Sequence, residues 1–215
     1  GRECSMAEKM PQIVCIGRQY GSGGREVGER LAKLLNIPCY DKVLVTETAI
    51  QSGLSEAFVK NEDETPGQSR WFLSGNPFAD NAALTDAFYS GSQVTYDVQR
   101  DIIRQLAQRG PCVFVGRCAA AILNRSDVLS VFIYANEEDC VARVMQRNSL
   151  NAQDAAKRIR QVNRMRKKYH AFYADSDWGQ PDSYDLMLST SKLGIDGCVE
   201  LIRNALTLPK EGDAQ

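Results

Sequence analysis

The chain has 215 residues, 43% of them hydrophobic, with 26 Lys and Arg against 27 Asp and Glu and a formal net charge of −1. That content suffices for the core of one good-sized domain with a smaller insert, and the near-neutral balance argues against a nucleic-acid partner or an anionic membrane surface. No apolar run approaches the ~20 residues of a membrane span, the N-terminus lacks the charged-then-apolar order of a secretory signal, and seven scattered cysteines with a single histidine, His170, read as reduced thiols of a cytoplasmic protein rather than a zinc site.

In chain order, residues 1–10 read as a tail, the first few as an expression remnant ahead of a start at Met6 or Met10. A single domain is expected over residues 11–209, followed by a short tail, 210–215. Ile13-Val14-Cys15-Ile16 is a short apolar strand, residues 17–24 form a glycine-rich turn, and Leu31, Leu34 and Leu35 mark a helix that stops at Asn36 and Pro38. Strand, glycine turn and helix together aim backbone N–H groups and a helix N-terminus at one phosphate. Gly21, Gly23 and Gly24 permit the close backbone approach, Ser22 lies among them, and Arg25 is the cation at the end of the loop.

The loop departs from G-x-x-x-x-G-K-[ST]: Gln19 stands where the first glycine belongs, Arg25 replaces the lysine, and Glu26 replaces the magnesium-binding hydroxyl. A glycine-rich turn without a ligand is the plainer alternative, but the strand before it and the amphipathic helix after it favour phosphate.

Ile37-Pro38-Cys39-Tyr40 is a short extended piece, and Asp41 caps a helix expected over residues 43–60. Between residues 61 and 91 periodicity weakens, and Trp71, Phe72, Phe78 and Phe88 belong either to a helical insert that packs its own aromatics or to a flap over a substrate. Val94, Val98, Ile102, Ile103 and Leu106 mark a helix ending at Gly110-Pro111. Cys112-Val113-Phe114-Val115, residues 128–134 and residues 185–189 read as strands, with a helix over residues 137–147. Strands alternating with helices give a mostly parallel sheet covered on both faces, with ligands at the carboxyl ends of the strands. Residues 17–24, Asp41 and Gly116-Arg117 all follow strand ends and should face one crevice.

Residues 143–173 read as one basic helical stretch carrying Arg143, Arg147, Lys157, Arg158, Arg160, Arg164, Arg166, Lys167 and Lys168. Acids are nearly absent between residues 155 and 174, so pairing along the helix cannot neutralise these cations, whereas a polyphosphate would. A solvated helix face is the alternative.

Together these motifs resemble the cytidylate kinase-like family of small P-loop kinases. The likeness runs from about residue 12 to 206 and lies in residues 18–26, Tyr40-Asp41-Lys42, residues 115–119, residues 169–173, Trp178-Gly179 and Tyr184-Asp185-Leu186. It implies an α/β P-loop NTPase fold: a five-stranded parallel sheet with helices on both faces, an NMP-binding insert at about residues 41–91 and an arginine-bearing helical lid at about residues 148–178. Compared with true cytidylate kinases, Cys118 stands where an Asp follows the Gly-Arg pair, and Asn163 where the lid has the Asp of Asp-x-x-Arg, ahead of Arg166.

Phosphoryl transfer needs positioning and charge neutralisation more than covalent chemistry. On this reading Gly21, Ser22, Gly23, Gly24, Arg25 and Glu26 hold the donor, expected to be ATP with Mg2+. Asp41, Arg117 and Arg143 hold the acceptor, for which a CMP-type nucleoside monophosphate is favoured. Arg25, Arg147, Arg158 and Arg166 stabilise the transferred charge. The protein ligand of the metal is left open, since Glu26 either replaces the missing hydroxyl or repels the nucleotide, and the oligomeric state is likewise open. A kinase of another small metabolite, a nucleotide sensor without turnover and a regulatory module that turns its basic lid on RNA are the alternatives.

Overall fold

The computed structural model describes residues 13–41, 92–116, 118–124 and 127–208. The expected tails, the insert over residues 42–91 with its helix at 43–60 and its four aromatics, and Arg117 lie outside the described residues. The chain divides into two compact units, residues 1–41 with 109–215 and residues 42–108.

In chain order the elements are β1 (Ile13–Arg18), α1 (Gly24–Leu35), β2 (Cys39–Tyr40), α2 (Ser92–Gln108), β3 (Cys112–Val115), α3 (Ala119–Leu123), β4 (Val128–Tyr134), α4 (Glu137–Asn148), α5 (Ala152–Tyr173), β5 (Leu186–Ser189) and α6 (Thr190–Ala205). A 3-10 turn at Pro181–Ser183 precedes β5, and α6 is broken at Gly194, whose φ is 70°. Helix α2 belongs to the second unit, and its Ile102, Ile103 and Leu106 are buried. All other elements belong to the first.

The five strands are parallel, in the order β2-β3-β1-β4-β5. On one face Val14, Ile16, Val113, Val115, Val131, Ile133 and Leu188 pack with Val27 and Leu31 of α1 and Cys198, Val199 and Ile202 of α6. Their alternation is the two-residue period of a strand. The opposite parity, Ile13, Cys15, Cys112, Phe114 and Phe132, is just as buried, which is why these strands read as continuous apolar runs. On that second face Phe132 meets Trp178 edge-on, with ring centroids 5.2 Å apart, and Tyr184 at 4.9 Å. Asp185 clamps the approach to β5: its carboxylate accepts the N–H and hydroxyl of Ser130, and its own N–H donates to the Ser130 carbonyl.

The basic helical stretch is made of two helices, the first agreeing with the helix expected over residues 137–147. Ser149 takes a left-handed φ of 53° that ends α4, and the Asn151 side chain accepts the Asp154 N–H to start α5. Asn and Ser compete with helical backbone bonds through their own side chains, so an Asn148-Ser149-Leu150-Asn151 run breaks a helix that charge pattern alone would continue. Among the described residues no helix is long and apolar enough to cross a membrane.

Candidate active site

The glycine loop leaves the carboxyl end of β1, the central strand, where the strand order turns back on itself and an open sheet leaves a crevice. Its path is held from outside. The Gln19 N–H donates to the Ile133 carbonyl and Gln19 Oε1 accepts the Ala135 N–H, both at the end of β4. Ser22 is fully buried, its hydroxyl donating to the Gln19 carbonyl at 2.9 Å, while Thr190 Oγ1 donates to the Ser22 carbonyl at 2.7 Å. Gly21 has a φ of 85°, and a β-carbon there would lie 2.8 Å from the Cys140 carbonyl oxygen, so it needs both left-handed freedom and a missing side chain. Helix α1 then starts behind Gly23, in the left-handed region and without a side-chain cap. Its first N–H groups are therefore an anion cradle with no side-chain acceptor of their own.

Cations close over this loop from α4 and α5. Arg143 Nη1 donates to the Gly21 carbonyl at 3.2 Å, and Arg166 Nη1 donates to the Arg18 carbonyl at 2.9 Å. The guanidinium carbons of Arg147 and Arg166 lie 4.8 and 5.6 Å from the centre of the Tyr20 ring. Asn163 accepts the Tyr20 N–H at 2.7 Å, so the asparagine of the lid motif holds loop backbone. Arg158 stands half-buried on α5, about two turns before Arg166. Burial, and then the neighbouring charge of Arg18, push Arg166 well below the usual arginine range, with Arg147 adding to the effect and Tyr20 opposing it. No carboxylate among the described residues pairs with Arg143, Arg147 or Arg166. A guanidinium as desolvated as that of Arg166 is stabilised by an arriving anion.

Arg25 faces elsewhere. Its Nε lies 2.8 Å from Glu29 Oε1 and its Nη2 3.1 Å from Asp41 Oδ2, with its side chain 64% exposed. The cation expected on the donor and the carboxylate expected on the acceptor are thus in contact. Glu26 pairs with Arg30, which also reaches Asp196 on α6. Among the described residues no group of three or more metal-ligating side chains forms. With Glu26 and Asp41 both engaged by arginines, the described residues do not by themselves assemble a magnesium site.

Beyond β3 the chain passes through Gly116, at φ 87°, and Cys118, at φ 52°, on either side of Arg117. Cys118 Sγ lies 3.5 Å from His170 Nδ1, and His170 Nε2 lies 2.9 Å from Ser176 Oγ, tying this loop to the end of α5. Tyr184, pushed up to about 12 by burial, covers Gly17, where a β-carbon would be 3.0 Å from its ring. Arg18, Tyr20, Asn163, His170 and Thr190 contact the glycine loop or the segment after β3, and sequence reasoning assigned them no role. Arg18 and Tyr20 sat inside the recognised loop motif, but Thr190 carried no signal at all.

The model of the cytidylate kinase-like family matches residues 13–192. A protein named cytidylate kinase from Pyrobaculum islandicum is 20% identical over 190 residues, 88% of this chain and 89% of that protein. Among solved structures, an uncharacterized protein from Eubacterium ventriosum aligns with 27% identity and a TM-score of 0.68 over 90% of this chain and 97% of its own. A shikimate kinase from Bacteroides thetaiotaomicron aligns with 14% identity and a TM-score of 0.51, over 91% and 98% of the two chains.

Proposed function

Because this chain belongs to the cytidylate kinase-like family, we propose that it transfers the terminal phosphoryl group of ATP to a nucleoside monophosphate, with a CMP-type acceptor favoured. The observation that carries this reading is the buried Arg166, with Arg143 and Arg147 converging on the glycine loop and no carboxylate among the described residues to neutralise them. Such a cluster suits a ligand with several negative charges.

The donor phosphates lie on the backbone N–H groups from Gly21 to Arg25 and at the start of α1, with Ser22 acting through its backbone because its hydroxyl is bonded to Gln19. Arg143, Arg147, Arg158 and Arg166 neutralise the charge that spreads over the transferred group. Asp41 and Arg117 serve the acceptor, Asp41 as part of its pair with Arg25. Magnesium, expected to accompany the donor nucleotide, would neutralise part of its charge.

A second reading, a kinase of another small metabolite, draws on Cys118: with His170 beside it, this position offers a thiol and an imidazole in place of a carboxylate. A coupled-turnover panel of ATP and GTP against nucleoside monophosphates and small alcohols separates the two. CMP-dependent release of ADP supports the first reading, and turnover of a non-nucleotide acceptor alone supports the second. ATP binding without any product favours a non-catalytic nucleotide-binding protein, and no nucleotide binding overturns the reading altogether.

A further inference from the structure

We propose that Arg18, rather than Arg25, is the loop cation that contacts the phosphoryl group in flight, a reading that rests on the kinase assignment above. Arg18 is the last residue of β1 and stands at the carboxyl edge of the sheet. Its side chain crosses two glycines. A β-carbon on Gly24 would fall 2.5 Å from Arg18 Cβ, and one on Gly116 would overlap Arg18 Nη1 and come within 2.8 Å of its Cζ. Both positions must therefore be bare for Arg18 to lie where it does.

Those two glycines mark the two halves of the reaction. Gly24 opens α1, whose N-terminus is the donor cradle, and Gly116 ends the β3 segment that leads into Arg117 on the acceptor side. The Arg18 stem thus lies against the start of α1 and its guanidinium against Gly116, so the side chain runs from the donor cradle to the segment that follows β3. Arg166 is its neighbour, donating to the Arg18 carbonyl and sensing its charge. Arg25 engages Glu29 and Asp41, and its side chain is mostly exposed. In a lysine-type loop the cation follows the last glycine; here the same charge reaches the phosphates from the strand that precedes the loop.

In the transfer, an acceptor phosphate oxygen bonds to the γ-phosphorus, the bond from that phosphorus to the β,γ-bridging oxygen breaks, and ADP leaves with the electron pair. Arg18 forms no covalent bond and gives up no proton. Its planar fork offers two N–H donors to oxygens whose charge grows as the bond loosens.

The test compares wild type, Arg18→Met, Arg18→Lys and Arg25→Met as full chains, by initial rates over both substrates, calorimetric ATP binding and thermal melting. Arg18→Met should lower kcat about 100-fold or more while changing the donor KM less than about fivefold, as expected for a contact made chiefly in the transition state. Millimolar free guanidinium should restore part of that rate. Arg18→Lys keeps the charge and stem without the fork, so it should melt like wild type yet still lose about tenfold in kcat. Arg25→Met should lower kcat at least tenfold less than Arg18→Met does. Wild-type kcat in Arg18→Met, or a larger kcat loss in Arg25→Met, overturns the assignment. If Arg18→Met fails to fold, the Arg18→Lys result decides in its place, since undiminished kcat there overturns the proposal. Failure of the wild type to turn over any acceptor overturns the kinase reading and this one with it, whereas an active wild type with an indifferent Arg18 overturns this one alone.

Discussion

Arg166 shows what a single residue concedes to function. A guanidinium desolvated beside Arg18 and Arg147, with no carboxylate partner among the described residues, is a destabilising element that an anion would relieve, and replacing such a charge with an apolar side chain of similar length is often neutral or stabilising. Arg166→Met should therefore leave the melting temperature unchanged or higher while reducing kcat/KM by about 100-fold, the scale of losing one charge-stabilising donor. A drop of several degrees with normal rates would make Arg166 a structural residue instead. His170 gives a second residue-level test, and as the single histidine of the chain it can be read without interference from others. Burial holds its pKa below the ordinary value, against opposing contributions from Ser176 and Asp177. A folded pKa below that of unfolded histidine, about 6.5, means that the unfolded chain binds the extra proton first. Stability from this group is complete above that value and falls as pH drops through it. Melting followed from pH 8 to 5 should show this slope in wild type and a flatter one in His170→Asn, and identical slopes would show that His170 does not titrate in this way.

At the scale of elements, the relation of α4 and α5 to the loop decides how the site is held. Cys140 and Val144 of α4 meet Ala155 and Ile159 of α5, with Tyr20, Val141, Met145 and Leu150 around them. The apolar stripe along residues 155–165 narrows toward its end: Ala155 and Ile159 are buried, Ala156 and Val162 half-buried, and Met165 is 39% exposed. Farther along the helix, polar contacts from Asn163 and Arg166 to the loop take over. Ile159→Ala should cost about 2–4 kcal/mol in chemical denaturation, the usual range for emptying a buried isoleucine site; a cost under about 0.5 kcal/mol would mean that this seam does not hold α5. Polar tethers to the glycine loop would also make α5 responsive to a polyphosphate bound there. Hydrogen exchange with a bisubstrate analogue, two nucleosides joined by a polyphosphate, should show greater added protection across α5 than across β4. Unchanged exchange in α5 with the analogue saturating would leave its arginines a solvated face.

For the molecule as a whole, a formal net charge of −1 conceals a basic crevice, because balance over the chain says nothing about distribution in space. Raising ionic strength from about 0.05 to about 0.5 M shortens the Debye length to a few ångströms. The donor KM should then rise several-fold while the melting temperature stays within a few degrees; a KM indifferent to salt would argue against the arginine cluster as the polyphosphate site. What the sequence determined by itself was the parallel sheet and the place of its crevice. Apolar runs such as Cys112-Val113-Phe114-Val115 are buried on both faces only in a covered parallel sheet, and glycines directly after Ile13-Val14-Cys15-Ile16 have few uses other than a close backbone turn. The tertiary structure alone decided which cations lie against the glycine loop. Helical spacing names a face but not the reach of a side chain with several rotatable bonds, and the contacts that orient these groups join residues far apart: Arg143 with Gly21 across 122 positions, Tyr20 with Asn163 across 143, and Arg166 with Arg18 across 148. Arg25 illustrates the same limit from the other side, because the loop pattern aims it at phosphate while Glu29, one helical turn on, and Asp41, beyond the next strand, lie close enough to take its charge first.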